Sequence, residues 1–477
     1  MTRVPDSTDG SITTTAIIEG IPETRWSVFE RFLALSDDES TRESSAADGW
    51  VEREVGATDL LFGCTSDVIA VLEPGTRSAF IKAAPELLAD VRGETNWLTI
   101  LVPWKEPPLL GRRSDGAVRS FIAAAPVVCR LIARLHPPAI EDLSYLLLHA
   151  VLNGELTVPR LCVRQIGRPS GRSTTFPLAS ATAVIMAHRG DPAYLRTALE
   201  FIDRAASSAM VTVKVGLDLA DLDTYIPVAA EFDRHKVFAI DEPPTGPYVI
   251  RQALIEGSTE DLLVFQDSDD VSSYDRFDVQ YTELTTSTVD LVGCHELEVD
   301  EIKRRVEAFR FPRDVSAALA QDDCAAECHK EEEPLLHATA MMRRRAFVNA
   351  GGLSTDQRIA NDTQFMLRAY FSVGMRNSDE FLYIRRRHPH ALTVAPRTAA
   401  GCELRRSLAA AWSSDFEKVK HGTLSLAASS LRVRPSARPH TLQPLAVAGQ
   451  AAAVKTAGHL VAASIASGER ADELERL

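Results

Sequence analysis

Cysteine is scarce: seven in 477 residues, at Cys64, Cys129, Cys162, Cys294, Cys324, Cys328 and Cys402. An odd, unpatterned set in a long chain excludes a disulfide framework and reads as reduced thiols, the expectation for a cytoplasmic protein. Cys294-His295 and Cys324-Ala-Ala-Glu-Cys328-His329 invite a zinc reading. The spacing is no recognised finger, however, and Cys at i and i+4 of a helix is more often packing. Long apolar runs are also lacking. The nearest, 121–135, is broken by Arg130 and Arg134, which excludes a transmembrane helix of ~18 or more apolar residues. The opening residues MTRVPDSTDGSITTT contain no apolar h-region, so no signal peptide is visible. Positive charge is in deficit, with 52 Lys and Arg against 66 Asp and Glu, a net charge of −14 and a pI near 5.4. That balance argues against a general nucleic-acid binder and against an anionic membrane surface, while leaving room for a local basic pocket for phosphate.

Otherwise the composition, 45% hydrophobic and 25% charged, is that of an ordinary globular protein, and the length suggests about three domains. Residues 1–55 are polar and acidic, with DDESTRESS at 37–45, and part of this stretch is expected to be mobile. Residues 56–166 show helix-like apolar spacing at 78–91, 116–135 and 140–152, with one strand at 97–102, and predict a mainly helical N-terminal domain. The Gly-, Pro-, Ser- and Thr-rich stretch GRPSGRSTTFPLAS (167–180) predicts a linker. From 181 to 399 the period changes. Strands at 182–187, 211–217, 236–240 and 261–265 alternate with helices, the first opened by Asp191-Pro192, which supplies an N-cap and a proline at the first helical position. Alternation of this kind predicts an α/β domain with a mostly parallel sheet flanked by helices. Residues 400–477, rich in Ala and Leu, predict a helical C-terminal tail serving as a cap or partner surface.

The chemistry concentrates at 262–270, LLVFQDSDD. A buried apolar strand runs into three carboxylates within four residues, which repel one another unless something positive sits among them. Ligands of open α/β sheets bind outside the carboxyl ends of the strands, and hard oxygen donors there suit Mg²⁺ or Mn²⁺ shared with a phosphate. The plain alternative is a solvated acidic turn in which Asp270 or Ser272 caps a helix.

Taken in order, these features resemble the nucleotide-diphospho-sugar glycosyltransferases of the GT-A fold, family 2 type. The residues that carry the likeness are TAVIMAHRGDPAYLRTALEFID (182–203), Asp218, GPYVIRQALIEG (246–257), LLVFQDSDD, RRRAFVNAGGLSTDQRIANDTQFMLRAY (343–370) and FLYIRRRHPHALT (381–393). The likeness spans roughly 180–395 and leaves the first 175 residues and the tail outside it. The resemblance implies that Asp218 contacts the nucleoside and that Arg251 and Arg385 face the diphosphate. Asp267 would lie near the ribose or the metal, and Asp269 would coordinate the metal together with His388. Asp362 would be the base that deprotonates the acceptor hydroxyl. Arg386 and Arg387 would help neutralise the diphosphate, and His337 would line the acceptor side. Two departures from the family pattern stand out: Asn361 where the family has an acid, and AHRGD where its opening strand has Pro-Thr-aromatic-Asn.

The resemblance thus implies a metal-dependent, inverting sugar transfer from a nucleotide diphosphate sugar to a hydroxyl acceptor, with Mn²⁺ or Mg²⁺ as cofactor and no nucleic-acid partner. Two readings stand against it. One is a nucleotidyltransferase or retaining transferase on a similar sheet, since fold does not fix function; AHRGDPAY is a poor match to the Gly-rich basic loop it would want. The other is a non-catalytic scaffold, against which the retained Asp267, Asp269 and Asp362 argue.

Overall fold

The computed structural model describes residues 59–63, 68–72, 97–118, 121–124, 143–169, 174–321, 333–396, 398–399 and 401–445. The N-terminal region supplies β1 (Asp59–Gly63), β2 (Val68–Leu72), β3 (Trp97–Pro103), β4 (Arg113–Ala117), β5 (Phe121–Ala124), α1 (Leu143–Leu152) and β6 (Arg160–Ile166). Then come β7 (Thr182–His188), α2 (Pro192–Arg204), β8 (Val211–Leu217), α3 (Ile226–Glu231), β9 (Lys236–Ile240), α4 (Pro247–Glu256) and β10 (Leu262–Phe265). Next are β11 (Val271–Ser272), α5 (Arg276–Thr286), β12 (Leu291–Asp300), β13 (Arg305–Arg310), α6 (Val315–Ala320), β14 (Met341–Arg343) and α7 (Arg344–Asn349). The chain closes with α8 (Asn361–Ala369), β15 (Met375–Arg387), α9 (Glu403–Lys420) and β16 (Leu442–Pro444). Among the described residues no helix is long and apolar enough to cross a membrane.

The central sheet has the order β11-β15-β12-β14-β10-β7-β8-β9-β16. Its middle is parallel, as the alternating pattern predicts: β10 with β7, β7 with β8 and β8 with β9. Antiparallel pairings of β14, β11, β13 and β16 flank that middle. A parallel sheet needs helices on both faces, so its strands read as continuous apolar runs; every residue of β10 is buried. Two apolar clusters fill the faces. One packs Ile185, Ile250, Leu263, Phe265 and Phe365 together, and the other Val184, Leu199, Val213, Val215 and Val264. The approach of α4 to β8 is close enough that a Cβ at Gly216 would stand 2.2 Å from Ile250 Cγ2, so glycine is required there. Helix α2 starts as its sequence predicts: Asp191 accepts from Ala193 N at 2.8 Å, and Pro192 takes the first position.

In the N-terminal region the described residues hold the expected strand at 97–102 (β3) and the expected helix within 140–152 (α1), while β5 and the end of β4 stand where the expected helix at 116–135 would begin. The region's described residues form a five-stranded sheet, β1-β2-β5-β3-β6, with α1 as the described helix, and β4 leaves it to pair with β13 of the central sheet. Residues 78–91 lie outside the described residues, as do 125–135 and all of residues 1–58.

The region is also no separate body. Leu98, Ile100, Phe121, Leu148 and Val163 share one apolar cluster with Phe201, Leu297, Phe381 and Ile384. Arg310, fully buried, pairs with Asp115, donates to Gln165 and reaches Pro103 O at 2.8 Å. Arg164 meets Asp275 at 2.9 Å and Arg168 meets Glu380 at 2.7 Å. The later part of the expected linker is held down as well: Phe176 N donates to Thr282 Oγ1 (2.7 Å) and Leu178 N to Asp278 Oδ1 (2.8 Å) on α5. Of the tail, α9 is helical, 442–444 joins the sheet beside β9, and 446–477 lies outside the described residues.

A chain beginning at Ser173 is therefore expected to lose its cooperative thermal transition. It would strip Arg310 of Asp115, Gln165 and Pro103 and expose the apolar face of the shared cluster to water. Differential scanning calorimetry of that fragment beside the full chain decides it. A soluble fragment melting in one sharp transition would make the N-terminal region an independent unit.

Candidate functional site

The acidic turn at the end of β10 is held by groups from three elements. Tyr383 on β15 donates to Asp270 Oδ2 at 2.6 Å and accepts from Asp267 N at 3.1 Å. Arg386 N donates to Asp270 Oδ1 at 2.7 Å. Asp270 is thus not the helix cap the sequence suggested. Burial, with Asp269 and Asp267 beside it, pushes its carboxyl well above the ordinary carboxylate range. Beneath the turn lies Arg276, with no exposed surface. It donates to Gln266 Oε1 (3.1 Å), Ser272 Oγ (3.0 Å), Gln280 Oε1 (3.1 Å), Phe265 O (2.9 Å) and Ala338 O (3.2 Å). From the other side, Ser268 and His188 share a 2.7 Å hydrogen bond, and burial lowers the His188 pKa to about 4, leaving a neutral ring.

Of the expected metal pair, Asp269 Oδ2 and His388 Nε2 lie 3.0 Å apart. Burial raises the Asp269 carboxyl, and the His388 imidazole outweighs it and holds the carboxyl below its usual value. The buried Nδ1 of His388 has no hydrogen-bond partner. Among the described residues no cluster of three or more His, Cys, Asp or Glu side chains stands ready for an ion. One carboxylate and one imidazole fit Mn²⁺ or Mg²⁺ with waters and phosphate oxygens completing the shell. The zinc alternative gains nothing: Cys324, Cys328 and His329 lie outside the described residues, and burial pushes the Cys294 thiol up to about 12.

Beside the turn opens a cavity of about 450 Å³ lined by Arg251, Asp267, Arg385 and Asp362, four of the residues expected from sequence. Arg251, buried on α4, pairs with Asp267. Arg385 faces Glu298 at 3.5 Å and Glu296 at 3.9 Å; burial alone would weaken its charge, and those carboxylates hold its pKa above the ordinary arginine value. Asp218 is not on the wall. Its carboxylate accepts from Thr245 N (2.7 Å) and Gly246 N (3.0 Å), which ties down the turn that starts α4. Arg386 does not face the cavity either. It pairs with Glu301, donates to Asn153 in the N-terminal region and packs 3.9 Å over the Tyr194 ring. Arg387 lines the cavity, 3.3 Å from Asp300.

Asp362 is the second residue of α8, delivered by a constrained loop. Gly351 and Gly352 both have positive φ, and a Cβ on Gly352 would stand 2.8 Å from Gln252 Oε1. Asn361 closes the loop by donating to Ser354 O (2.8 Å) and Gln357 O (3.0 Å). Ala360, just before it, takes φ 62, a conformation a non-glycine residue holds only when its surroundings impose it, and one that clusters at functional sites. Tyr248 Oη donates to Asp362 Oδ1 at 2.8 Å, as does Thr363 N at 3.0 Å. Burial raises the Asp362 carboxyl. The neighbouring His337 ring, the charge of Arg405 and those two hydrogen bonds outweigh it, and the carboxyl sits below its ordinary value, ionised at neutral pH. His337 lines the same wall; burial and Arg251 lower its pKa to about 3, so it stays neutral.

Sequence reasoning missed many of the lining residues, four of which bear most on the site's charge. Arg112 comes from the N-terminal region, 2.7 Å from Glu296 and 3.1 Å from Glu298, with its guanidinium 3.5 Å over the Phe309 ring. Arg405 and Arg406 come from α9, and Glu333 from the segment before β14. No local motif marks any of them. Their common feature is arrival at one cavity from elements far apart in the chain.

Three comparisons with known proteins add little to this geometry. No family model matches the chain, and no curated protein does. Among solved structures it is similar to S. aureus TarS, at 15% identity over 50% of this chain and 43% of that one, with a TM-score of 0.36. It is likewise similar to S. aureus TarS 1-349 in complex with UDP-GlcNAc, at 14% identity over 52% of this chain and 74% of that one, with a TM-score of 0.37. The chain spans less than half the length of the first. A likeness this distant carries no argument. The protein is of the α/β class, with an acidic turn and an arginine-lined cavity at the carboxyl edge of its parallel strands.

Glu333 gives a test of the cavity's electrostatics. It accepts from Thr363 Oγ1, next to Asp362. Burial first, then the Asp362 charge, raises its pKa to about 7. A carboxyl with a higher pKa folded than unfolded holds its proton preferentially in the folded state, so this contribution to stability falls as pH rises from about 4.5 to about 7. Glu333→Gln keeps an acceptor for Thr363 and removes the titration. Urea unfolding should show the variant more stable than wild type by about 1–3 kcal/mol near pH 8, with the gap closing near pH 5. A gap independent of pH would mean that Glu333 titrates normally.

Proposed function

We propose that the protein is a glycosyltransferase of the GT-A fold, family 2 type, moving a sugar from a nucleotide diphosphate sugar to a hydroxyl acceptor with inversion at the anomeric carbon. One observation carries the reading: a single cavity holds an ionised, partly exposed carboxylate, Asp362, together with the Arg251–Asp267 pair and Arg385 beside the acidic turn. Its volume is within the range of small-molecule sites.

Asp362 Oδ2 takes the proton of the acceptor hydroxyl. The freed oxygen attacks the anomeric carbon on the face opposite the diphosphate, and the bond from that carbon to the phosphate oxygen breaks. Tyr248, bonded to Oδ1, keeps the carboxylate turned toward the cavity. Arg251 and Arg385 bind the diphosphate and stabilise the charge it gains on leaving, a role for preorganised cations. Asp267 sits on the donor side through its pair with Arg251, and Asp218 contributes through the turn from which α4 starts. Asp269 and His388 would hold Mn²⁺ or Mg²⁺, which supplies further positive charge to the leaving group.

Titrating nucleotide sugars of differing base and sugar into the full chain, with and without Mn²⁺, tests the donor half by thermal shift. The cognate donor at about 100 times its Kd should add roughly 2.7 kcal/mol of stability. With that donor, Asp362→Asn keeps size and helix-capping ability and loses the proton acceptor. Donor affinity should stay near wild type while kcat for transfer falls by about 10² to 10⁴. Near-normal turnover in the variant would mean the base lies elsewhere, and failure of every nucleotide sugar to bind would remove the reading altogether.

A further inference from the structure

Most cations of the cavity are already matched to acids. Arg112 faces Glu296 and Glu298, Arg251 faces Asp267, Arg385 faces Glu298, and Arg387 faces Asp300. Two are not. Arg405 spends Nε on Thr398 O at 2.8 Å and forms no ion pair among the described residues. The side chain of Arg406 makes neither a hydrogen bond nor an ion pair with any described residue. Both line the cavity, as do Asp362, Thr363 and Glu333, Arg405 half-buried and Arg406 exposed to solvent.

Their place in the helix sharpens the question. α9 begins at Glu403, so Arg405 and Arg406 fall in or just after its first turn. There the helix macrodipole is positive and disfavours added cations. Two adjacent arginines at such a place, one of them half-buried, repel each other and the helix end. They also stand across a cavity whose donor-side cations are already provided. An anion between them would relieve both costs, since guanidinium groups bind planar or tetrahedral oxyanions through paired N–H donors.

We propose that Arg405 and Arg406 form an oxyanion subsite on the acceptor side of the cavity, and that the acceptor carries a phosphate or carboxylate near the hydroxyl that reacts. This rests on the transfer reading above for the word acceptor; the subsite itself rests only on the unmatched arginines. The subsite gives the C-terminal helix a binding role and makes acceptor choice depend on a segment outside the α/β domain.

Calorimetry on the full chain at low salt, saturated with whichever nucleoside diphosphate binds best, is the test. The probes are glycerol phosphate, glycerate and uncharged glycerol. The wild type should bind one or both charged probes and not glycerol, and the stronger of the two tells phosphate from carboxylate. In Arg405→Gln/Arg406→Gln, binding of the charged probe should weaken by about tenfold or more, while Arg405→Lys/Arg406→Lys keeps much of it, because the charge remains but the paired donors do not. Nucleoside diphosphate affinity should be unchanged in both, and unchanged melting temperatures establish that both fold.

Three results overturn the proposal: charged probes that bind no better than glycerol, charged probes that bind the Gln variant as well as wild type, or nucleoside diphosphate affinity that falls in step with the probe. The last would assign the pair to the donor's diphosphate. If no nucleoside diphosphate binds the wild type, the transfer reading fails on its own. Probe binding by the unsaturated protein that the Gln variant loses would then still uphold the oxyanion subsite.

Discussion

Three carboxylates in four residues, partly withdrawn from water at the end of a buried strand, are the constraint around which this molecule is built. Left alone, Asp267, Asp269 and Asp270 would repel one another and be driven toward their neutral forms. The fold answers each separately. Asp267 receives Arg251 from α4, Asp269 receives His388 from the end of β15, and Asp270 receives the Tyr383 hydroxyl and the Arg386 amide from β15. Arg276 fills the space below and spends its donors on neutral acceptors, so its charge remains available to the turn above. Elements far apart in sequence must converge before the turn can exist in this form.

The same economy explains why the N-terminal region cannot be peeled away. β15 carries the turn's partners on one side and faces the N-terminal sheet on the other. Phe381 and Ile384 lie in the cluster shared with Leu98, Phe121 and Leu148. Arg386 gives its amide to Asp270 and its guanidinium to Glu301 and Asn153. A shift of the N-terminal region would therefore reach the acidic turn through a single residue. Arg112 extends the dependence to the cavity wall, where it joins Arg385 in compensating Glu296 and Glu298. The site thus has contributions from three parts of the chain: the N-terminal region, the α/β sheet and the C-terminal helix.

What could be read from the sequence were the features with local causes. The parallel centre of the sheet follows from strands and helices that alternate at short range. The start of α2 follows from Asp191-Pro192, and the acidic turn from an apolar run that stops at Asp267. Arg251, Asp267, Arg385 and Asp362 could be named as a group only through the family resemblance carried by the motifs around them, and the structure brings all four to one cavity. Asp269 and His388, named as a pair, are in contact.

What only the tertiary structure decided were the matters that depend on partners. A polar side chain's task is set by what it meets, and sequence spacing does not say what that will be. Asp270 looks like a cap and is instead a buried acceptor. Arg386 and Arg387 are neighbours with one pattern, yet alternation along β15 sends one to the N-terminal region and the other to the cavity. Asp218 turns out to be occupied by backbone amides, and Arg112, Glu333, Arg405 and Arg406 join the wall with no motif to announce them. β5 falls where apolar spacing alone reads as helix, because its pairing with β2 and β3 is made by strands distant in the chain and not by its neighbours.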